Sequence, residues 1–152
     1  AYVNEGDPNG NSLLQRLEHL KIGWSIAKSN IIAGVGIGDV NEDFIKEYDR
    51  LASQLTSENQ HRAHNQYLTY WISLGIVGLL IFLLFFTVPV IKVANKDYMF
   101  YAIFVVLAIS LFFQDLLETQ AGVCIFGLFY GLMAFTDYAH PEVHLSPDHS
   151  DQ

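Results

Sequence analysis

Side chains able to bind an anion and to accept a proton lie together just before a long uncharged stretch. His61, Arg62 and His64 are close neighbours, and residues 68–91 then contain no Asp, Glu, Lys or Arg. A guanidinium binds phosphate oxygens as a fork and always stays charged. An imidazole can accept a proton from a hydroxyl near neutral pH. With Arg16 as a further cation, the segment before the stretch is a candidate for chemistry on an anion.

Each of these side chains also has an ordinary structural interpretation, which the sequence leaves open. Arg16 follows a leucine-rich pattern and can be a solvated surface residue. His64, beside Asn65, can cap the helix that follows, and His61 can be a plain loop residue. The residues alone do not choose between these interpretations and a binding role.

Two carboxylates, Asp115 and Glu118, lie between the second and third uncharged stretches. They can be surface carboxylates at a helix end. Ionisable groups so close to apolar segments are costly unless they are paired, however, which favours a functional interpretation.

Three uncharged stretches predict an all-α, polytopic membrane protein. The chain is 51% apolar and only 16% charged. A helix rises about 1.5 Å per residue and the hydrocarbon core is about 30 Å thick, so each stretch is close to one span. The buried core of a large soluble protein is the alternative. We expect three transmembrane helices at about 67–93, 98–117 and 121–138.

The positions of two lysines predict the orientation of these spans. Lys92 and Lys96 flank the first short loop and place it in the cytoplasm by the positive-inside rule. Residues 1–66 and the Asp115–Gln120 turn are then on the outer side of the membrane. The acidic tail, residues 139–152, is expected to be disordered and cytoplasmic.

The outer segment, residues 1–66, is predicted to hold two amphipathic helices lying against the outer end of the spans. Asn11 or Ser12 can cap the first helix, and Asp39 or Asn41 the second. The first helix shows an apolar stripe at Leu13, Leu17, Leu20, Trp24 and Ala27. The second shows a stripe at Phe44, Tyr48, Leu51 and Leu55.

Several other features carry no chemistry in this interpretation. Gly34, Gly36 and Gly38 are not followed by the lysine of a phosphate-binding loop, and they predict a flexible turn with positive φ. The single Cys124 predicts neither a disulfide nor a metal site. The net charge of −8 excludes a basic nucleic-acid surface. Glycines of the third span are available for close helix packing: Gly122, Gly127 and Gly131.

The order of these features resembles the C-terminal part of the O-antigen ligase and polymerase superfamily of bacterial envelope glycosyltransferases. The matching pieces, over roughly residues 12–136, are RLEHLKIGW from Arg16, IIAGVGIG at 31–38, HNQYL from His64, LGIVGL from Leu74, and Asp115 to Glu118 with Gln120 and Gly122. No single piece is specific, but their order is.

The resemblance implies transfer of a glycan from undecaprenyl diphosphate to an acceptor hydroxyl on the outer face of the bacterial inner membrane. The acceptor would be the lipid A core, a growing glycan or a protein. His64 would be the base or the orienting group for the acceptor hydroxyl, with His61, three residues earlier, as the alternative base. Arg16 would contact the diphosphate, and neither nucleotide, metal nor cofactor is needed. The remaining candidate substrate-binding residues are Arg62, His61, Asn65, Asp115 and Glu118. Because the family uses further arginines in earlier spans, residues 1–152 are expected to be a fragment that is inactive alone.

Two non-catalytic functions are the alternatives. The first is a transporter or a flippase partner, which should carry charged or broken positions at mid-bilayer depth. Residues 80–86 and 103–109 are plainly apolar instead, and the polar residues gather at one surface. The second is a simple anchor for a small outer binding module. It predicts that replacing His64 and Arg16 has no consequence.

Overall fold

The structure, a computed structural model, describes residues 8–92 and 98–135 and is all-α, as predicted. In these residues it has five helices and three short 3-10 turns. The helices are α1 (Ser12–Ser29), α2 (Val40–Arg50), α3 (Gln66–Lys92), α4 (Tyr98–Phe113) and α5 (Gln120–Phe135). The turns are Pro8–Gly10, Ser57–Asn59 and Leu116–Glu118.

Helix α1 begins where predicted, and its buried face overlaps the predicted stripe only in part. The Asn11 side chain accepts hydrogen bonds from the N–H groups of Leu13 and Leu14, which fixes the first turn. Leu13 is 65% exposed and Leu17 and Trp24 also face outward, whereas Ala27 is buried and Leu20 packs against the buried cluster. The buried face is formed by His19, Ile22, Gly23, Ile26 and Ala27. Gly23 explains the choice, because a Cβ there would lie 3.0 Å from the Leu68 side chain of α3.

Helix α2 follows a short loop and closes the outer segment. Asp39 occupies the predicted N-cap position, although its side chain makes no capping hydrogen bond. Phe44, Tyr48 and Leu55 are buried as predicted, whereas Leu51 is exposed because the helix has already ended at Arg50. One apolar cluster joins α1 and α2 to the first turns of α3, with members Ile22, Ile26, Ala27, Val40, Phe44, Tyr48, Leu55, Ala63, Leu68 and Ile72.

Helix α3 bends sharply at Gly75, which has φ 70° and ψ −173°. This backbone conformation is essentially restricted to glycine. The glycine-rich loop between α1 and α2 fills the bend with three backbone hydrogen bonds: Val35 N to Ile72 O (2.8 Å), Gly36 N to Ser73 O (3.0 Å) and Ile76 N to Ile31 O (2.7 Å). The positive φ predicted for the loop is found at Gly34 and Gly36. The loop is therefore docked on α3 rather than being a free turn.

Helices α4 and α5 pack against α3. Their shared cluster contains Phe86, Leu107, Leu111 and Tyr130, and the Tyr67 hydroxyl donates to the carbonyl of Ala108 at 3.1 Å. Helix α4 ends at Phe113, so residues 114–119 are free to turn back toward the start of α3. Gly127 and Gly131 have open space around them, and close packing at these two predicted positions is absent from the described structure.

Among the described residues, one helix is long and apolar enough to cross a membrane: Gln66–Val88. The other two apolar helices, Tyr98–Phe113 and Gln120–Gly131, are shorter. The loop containing Lys96 and the tail 139–152 lie outside the described residues, so the predicted orientation and the disordered tail remain predictions.

Candidate functional site

The candidate histidines lie in a non-helical segment at the start of α3. His64 has a positive φ of 48°, and α3 begins at Gln66. The cap of this helix is Asn65, whose Oδ1 accepts from Leu68 N at 3.0 Å. The capping role considered for His64 therefore belongs to its neighbour. The His64 side chain is half-exposed and turns toward a cavity.

This cavity, of about 640 Å³, lies between α2, the segment before α3 and the turn after α4. Five of the seven predicted site residues line it, and they come from two segments more than 50 positions apart in sequence. One segment supplies His61, Arg62 and His64, and the other supplies Asp115 and Glu118. The rest of the wall comes mainly from α2, with Phe44, Ile45 and Tyr48. The fold thus brings the candidate cation, imidazoles and carboxylates around one space.

His64 faces the carboxylate of Asp115. Nδ1 of His64 lies 3.8 Å from Oδ2 of Asp115, which is ion-pair range and longer than a hydrogen bond. The other oxygen, Oδ1, accepts from Thr69 Oγ1 at 2.8 Å, and only 12% of the Asp115 side chain is exposed. A nearly buried carboxylate held by α3 thus faces the imidazole across the cavity wall.

Arg62 and Glu118 form a bidentate ion pair across the mouth of the same cavity. Nη1 of Arg62 lies 2.5 Å from Oε2 of Glu118, and Nη2 lies 2.8 Å from Oε1. The geometry is the fork arrangement in which arginine binds carboxylates and phosphates most strongly. Two residues that were both predicted to contact substrate are thus each other's partners in the described structure.

The turn that carries both carboxylates is fastened to α3 by a residue that the sequence analysis did not single out. Gln66 is 1% exposed, and its Oε1 accepts from the backbone N–H of Leu117 at 2.8 Å. Together with Thr69, it holds the Leu116–Glu118 turn beside His64. The available signal was the presence of polar side chains in the first turn of an apolar helix, where an unpartnered amide would be costly.

His19 is a second residue that the sequence analysis missed. It is 3% exposed, and its ring lies edge-on to those of His61 and His64, with centroids 5.9 and 6.3 Å away. Nε2 lies 2.9 Å from the carbonyl of Asn59 and must donate to it, because a carbonyl only accepts. Burial lowers the pKa of His19, so the ring is kept neutral. It forms a packed, uncharged support behind the two cavity histidines.

No group of three or more His, Cys, Asp or Glu side chains in the described ranges has an arrangement that could hold a metal ion. The three neighbouring imidazoles belong to a packing arrangement instead. The Tyr48 hydroxyl contributes to it by donating to the carbonyl of His61 at 2.8 Å.

Arg16 and Asn65 are not brought to the cavity. Arg16 is exposed on α1, one turn before His19, and a substrate role for it remains a prediction. Asn65 is buried, and besides capping α3 it borders a separate cavity of about 440 Å³ beside Trp24 and Trp71. Its role in substrate binding also remains a prediction.

The family model described as O-Antigen ligase matches residues 3–83, which is more than half of the chain. The chain belongs to the O-antigen ligase family. The resemblance drawn from the sequence motifs is thereby confirmed, and the membership makes this a membrane-bound protein of an enzyme family. The match includes the helix of Arg16, the His61–Asn65 segment and most of α3, but it stops before Asp115 and Glu118. This O-antigen ligase family member matches no curated protein and no solved structure.

Proposed function

We propose that this protein transfers a glycan from undecaprenyl diphosphate to an acceptor hydroxyl at the outer face of the bacterial inner membrane, as an O-antigen ligase or polymerase. The single observation that carries the proposal is the pairing of His64 with Asp115 on the wall of a 640 Å³ cavity at one end of the long apolar helix. A lipid-linked donor and a polar acceptor can meet only at such a boundary between membrane and water.

In the proposed reaction, the acceptor hydroxyl attacks the anomeric carbon of the donor sugar. The bond from that carbon to the diphosphate oxygen breaks, and the lipid diphosphate leaves with the bonding electrons. His64 takes the proton from the hydroxyl as the new carbon–oxygen bond forms. Asp115, with Oδ2 3.8 Å from Nδ1, presents an opposite charge to the imidazolium that results.

The leaving group needs its growing negative charge neutralised rather than a strong acid. Arg62, at the cavity mouth, is proposed to contact the diphosphate, and Arg16 on α1 is proposed as a further contact. His61, on the cavity wall, is proposed to help hold the acceptor, whereas Asn65, which lies outside this cavity, is proposed to act by fixing the start of α3 beside His64. Binding both reactants in one cavity supplies a large part of the rate enhancement.

We further propose that α3, α4 and α5 all cross the membrane, with residues 1–66 in the periplasm. Helix α3 is long enough to do so. Helices α4 and α5 have 16 residues each and rise about 24 Å, which is less than the hydrocarbon thickness of about 30 Å. Either the bilayer thins locally around them, or the polar residues that flank them extend to the interfaces. In this arrangement the turn of Asp115 and Glu118 faces the periplasm, on the same side as His64.

The test is a His64→Ala variant expressed in the native cell. We expect loss of mature envelope glycan and accumulation of the lipid-linked donor, since a general base contributes about 10²-fold or more. Bare lipid A core would identify a ligase, and core carrying single repeat units would identify a polymerase. His144→Ala, in the tail, is the matched control. Protein level and membrane insertion must be unchanged in both variants.

An unchanged glycan profile in the His64→Ala variant would remove His64 as the base. The same experiment with His61→Ala would then decide between a misassigned base and a non-catalytic membrane component. If both single variants and the double variant keep normal glycan, the enzymatic proposal is wrong.

A further inference from the structure

The Arg62–Glu118 ion pair leaves the cavity without a free cation. Among the described residues that line it, the fixed charges are Arg62, Asp115 and Glu118, and the only positive one is already bound by a carboxylate. An anionic donor entering this cavity meets a net negative wall. It can take the two N–H groups that Glu118 holds only by displacing that carboxylate.

The pair is accessible from the cavity. The side chains of Arg62 and Glu118 are 27% and 35% exposed, so a ligand can reach both. Within the described part of the chain, Nε of Arg62 is buried without a hydrogen-bond partner, as are Nδ1 of His19 and Nε1 of Trp71.

Glu118 can leave without unfolding the turn that carries it. The turn is fixed to α3 by the backbone N–H of Leu117, bound to Gln66, and by Asp115, bound to Thr69. Neither bond involves Glu118. Rotation of the Glu118 side chain into solvent therefore frees the Arg62 guanidinium, while His64 and Asp115 stay in place.

We propose that Glu118 is an internal competitor for Arg62, which a ligand must displace to take the two N–H groups that the carboxylate holds. The inference rests on the proposed function of Arg62 as a diphosphate contact. Bulk phospholipids present singly charged phosphodiesters, and exchanging one carboxylate for one such group brings no net Coulombic gain. A diphosphate diester carries two charges and two sets of acceptor oxygens, and it wins the exchange. The ion pair weakens both kinds of ligand by the same factor, so a singly charged headgroup keeps little net affinity for the site while the diphosphate still binds.

The test uses the full-length protein and two soluble probes, inorganic pyrophosphate and dimethyl phosphate, with dissociation constants measured for wild type and three variants. Glu118→Gln removes the competing charge but keeps a carbonyl that can accept from Arg62, so the turn remains attached. Glu58→Gln is the matched control, because Glu58 is an exposed glutamate of the outer segment and does not line the cavity. Arg62→Gln removes the proposed anion contact.

Wild type should bind pyrophosphate in clear preference to dimethyl phosphate. Glu118→Gln should bind pyrophosphate about two- to fivefold more tightly, the range expected for removing a half-exposed competing ion pair. It should bind dimethyl phosphate more tightly by about the same factor, because the same competitor is removed for both probes. Glu58→Gln should behave as wild type.

Three results would overturn the inference. If Arg62→Gln weakens pyrophosphate binding while Glu118→Gln changes neither constant, Glu118 is no competitor, and the proposed function stands. If Arg62→Gln has no effect, the assignment of Arg62 fails and the inference falls with it. If Glu118→Gln unfolds or binds both probes more weakly while Glu58→Gln is normal, the pair is structural.

Discussion

Replacing Gly75 by alanine is the most direct perturbation of the way the outer segment is attached to α3. Gly75 has φ 70° and ψ −173°, a conformation that costs a residue with a side chain about 1–3 kcal/mol. A Cβ there would also lie 2.0 Å from the carbonyl oxygen of Ile32 and 2.7 Å from the backbone nitrogen of Ala33. Both obstacles are backbone atoms, so no side-chain rotation relieves the clash.

The variant must therefore push the glycine-rich loop away or straighten the helix. Either change breaks the three backbone hydrogen bonds between the loop and α3, each contributing about 0.5–1.5 kcal/mol. Strain and lost bonds together predict a loss of about 3 kcal/mol or more. This is a large part of the stability of an ordinary domain.

The assay is thermal unfolding of the protein in its membrane or in detergent, followed by the fraction that stays soluble. Gly127→Ala is the control, because its Cβ would meet open space and the change should be neutral or stabilise α5 by up to about 1 kcal/mol. We expect a clearly lower midpoint for Gly75→Ala and an unchanged or higher one for the control. Equal midpoints for the two variants would refute the docked loop.

Three further predictions concern the cavity. Acidification below the ordinary histidine pKa of about 6.5 should lower the free energy of unfolding by up to about 1.4 kcal/mol per pH unit, because burial depresses the pKa of His19 and the unfolded chain binds the proton first. When unfolding is measured at a series of pH values, the His19→Asn variant should lack this component. Tyr48→Phe should destabilise the fold by about 1–3 kcal/mol in thermal unfolding, since it leaves the carbonyl of His61 without its donor, and an unchanged midpoint would contradict the contact. Asp115→Asn should lower kcat by about ten- to 10²-fold with little change in KM, because His64 loses its orienting charge; a change in KM alone would assign Asp115 to binding.

The composition of the candidate site could be predicted because the order of the apolar helices along the chain brings the segments between them to one end. His61, Arg62 and His64 precede one apolar helix, and Asp115 and Glu118 lie between two others. Antiparallel apolar helices return the chain to the same end. The pairing within the site could not be predicted, because it depends on Gln66 and Thr69 fixing the height of the turn to within a few ångströms.

The buried face of α1 shows where pattern analysis fails. The helix has apolar residues on two sides, with leucines at 13, 17 and 20 and isoleucines at 22 and 26. Periodicity favours the leucines, but the absence of a side chain at Gly23 decides which side can approach α3 closely. His19 is buried as a consequence of that choice, and a histidine in a polar-looking helix gives no local sign of it.

The bend at Gly75 also sets an order for the biogenesis of the protein. Lipid offers no hydrogen bonds, so the carbonyls that the bend frees in an apolar helix need partners from the protein itself. Those partners are the N–H groups of Val35 and Gly36, which are synthesised well before Ile72 and Ser73. In the proposed topology, with α3 in the membrane and residues 1–66 in the periplasm, the outer segment is exported before α3 can complete these bonds. Export of the segment, insertion of the helix and completion of the cavity would then be coupled during synthesis.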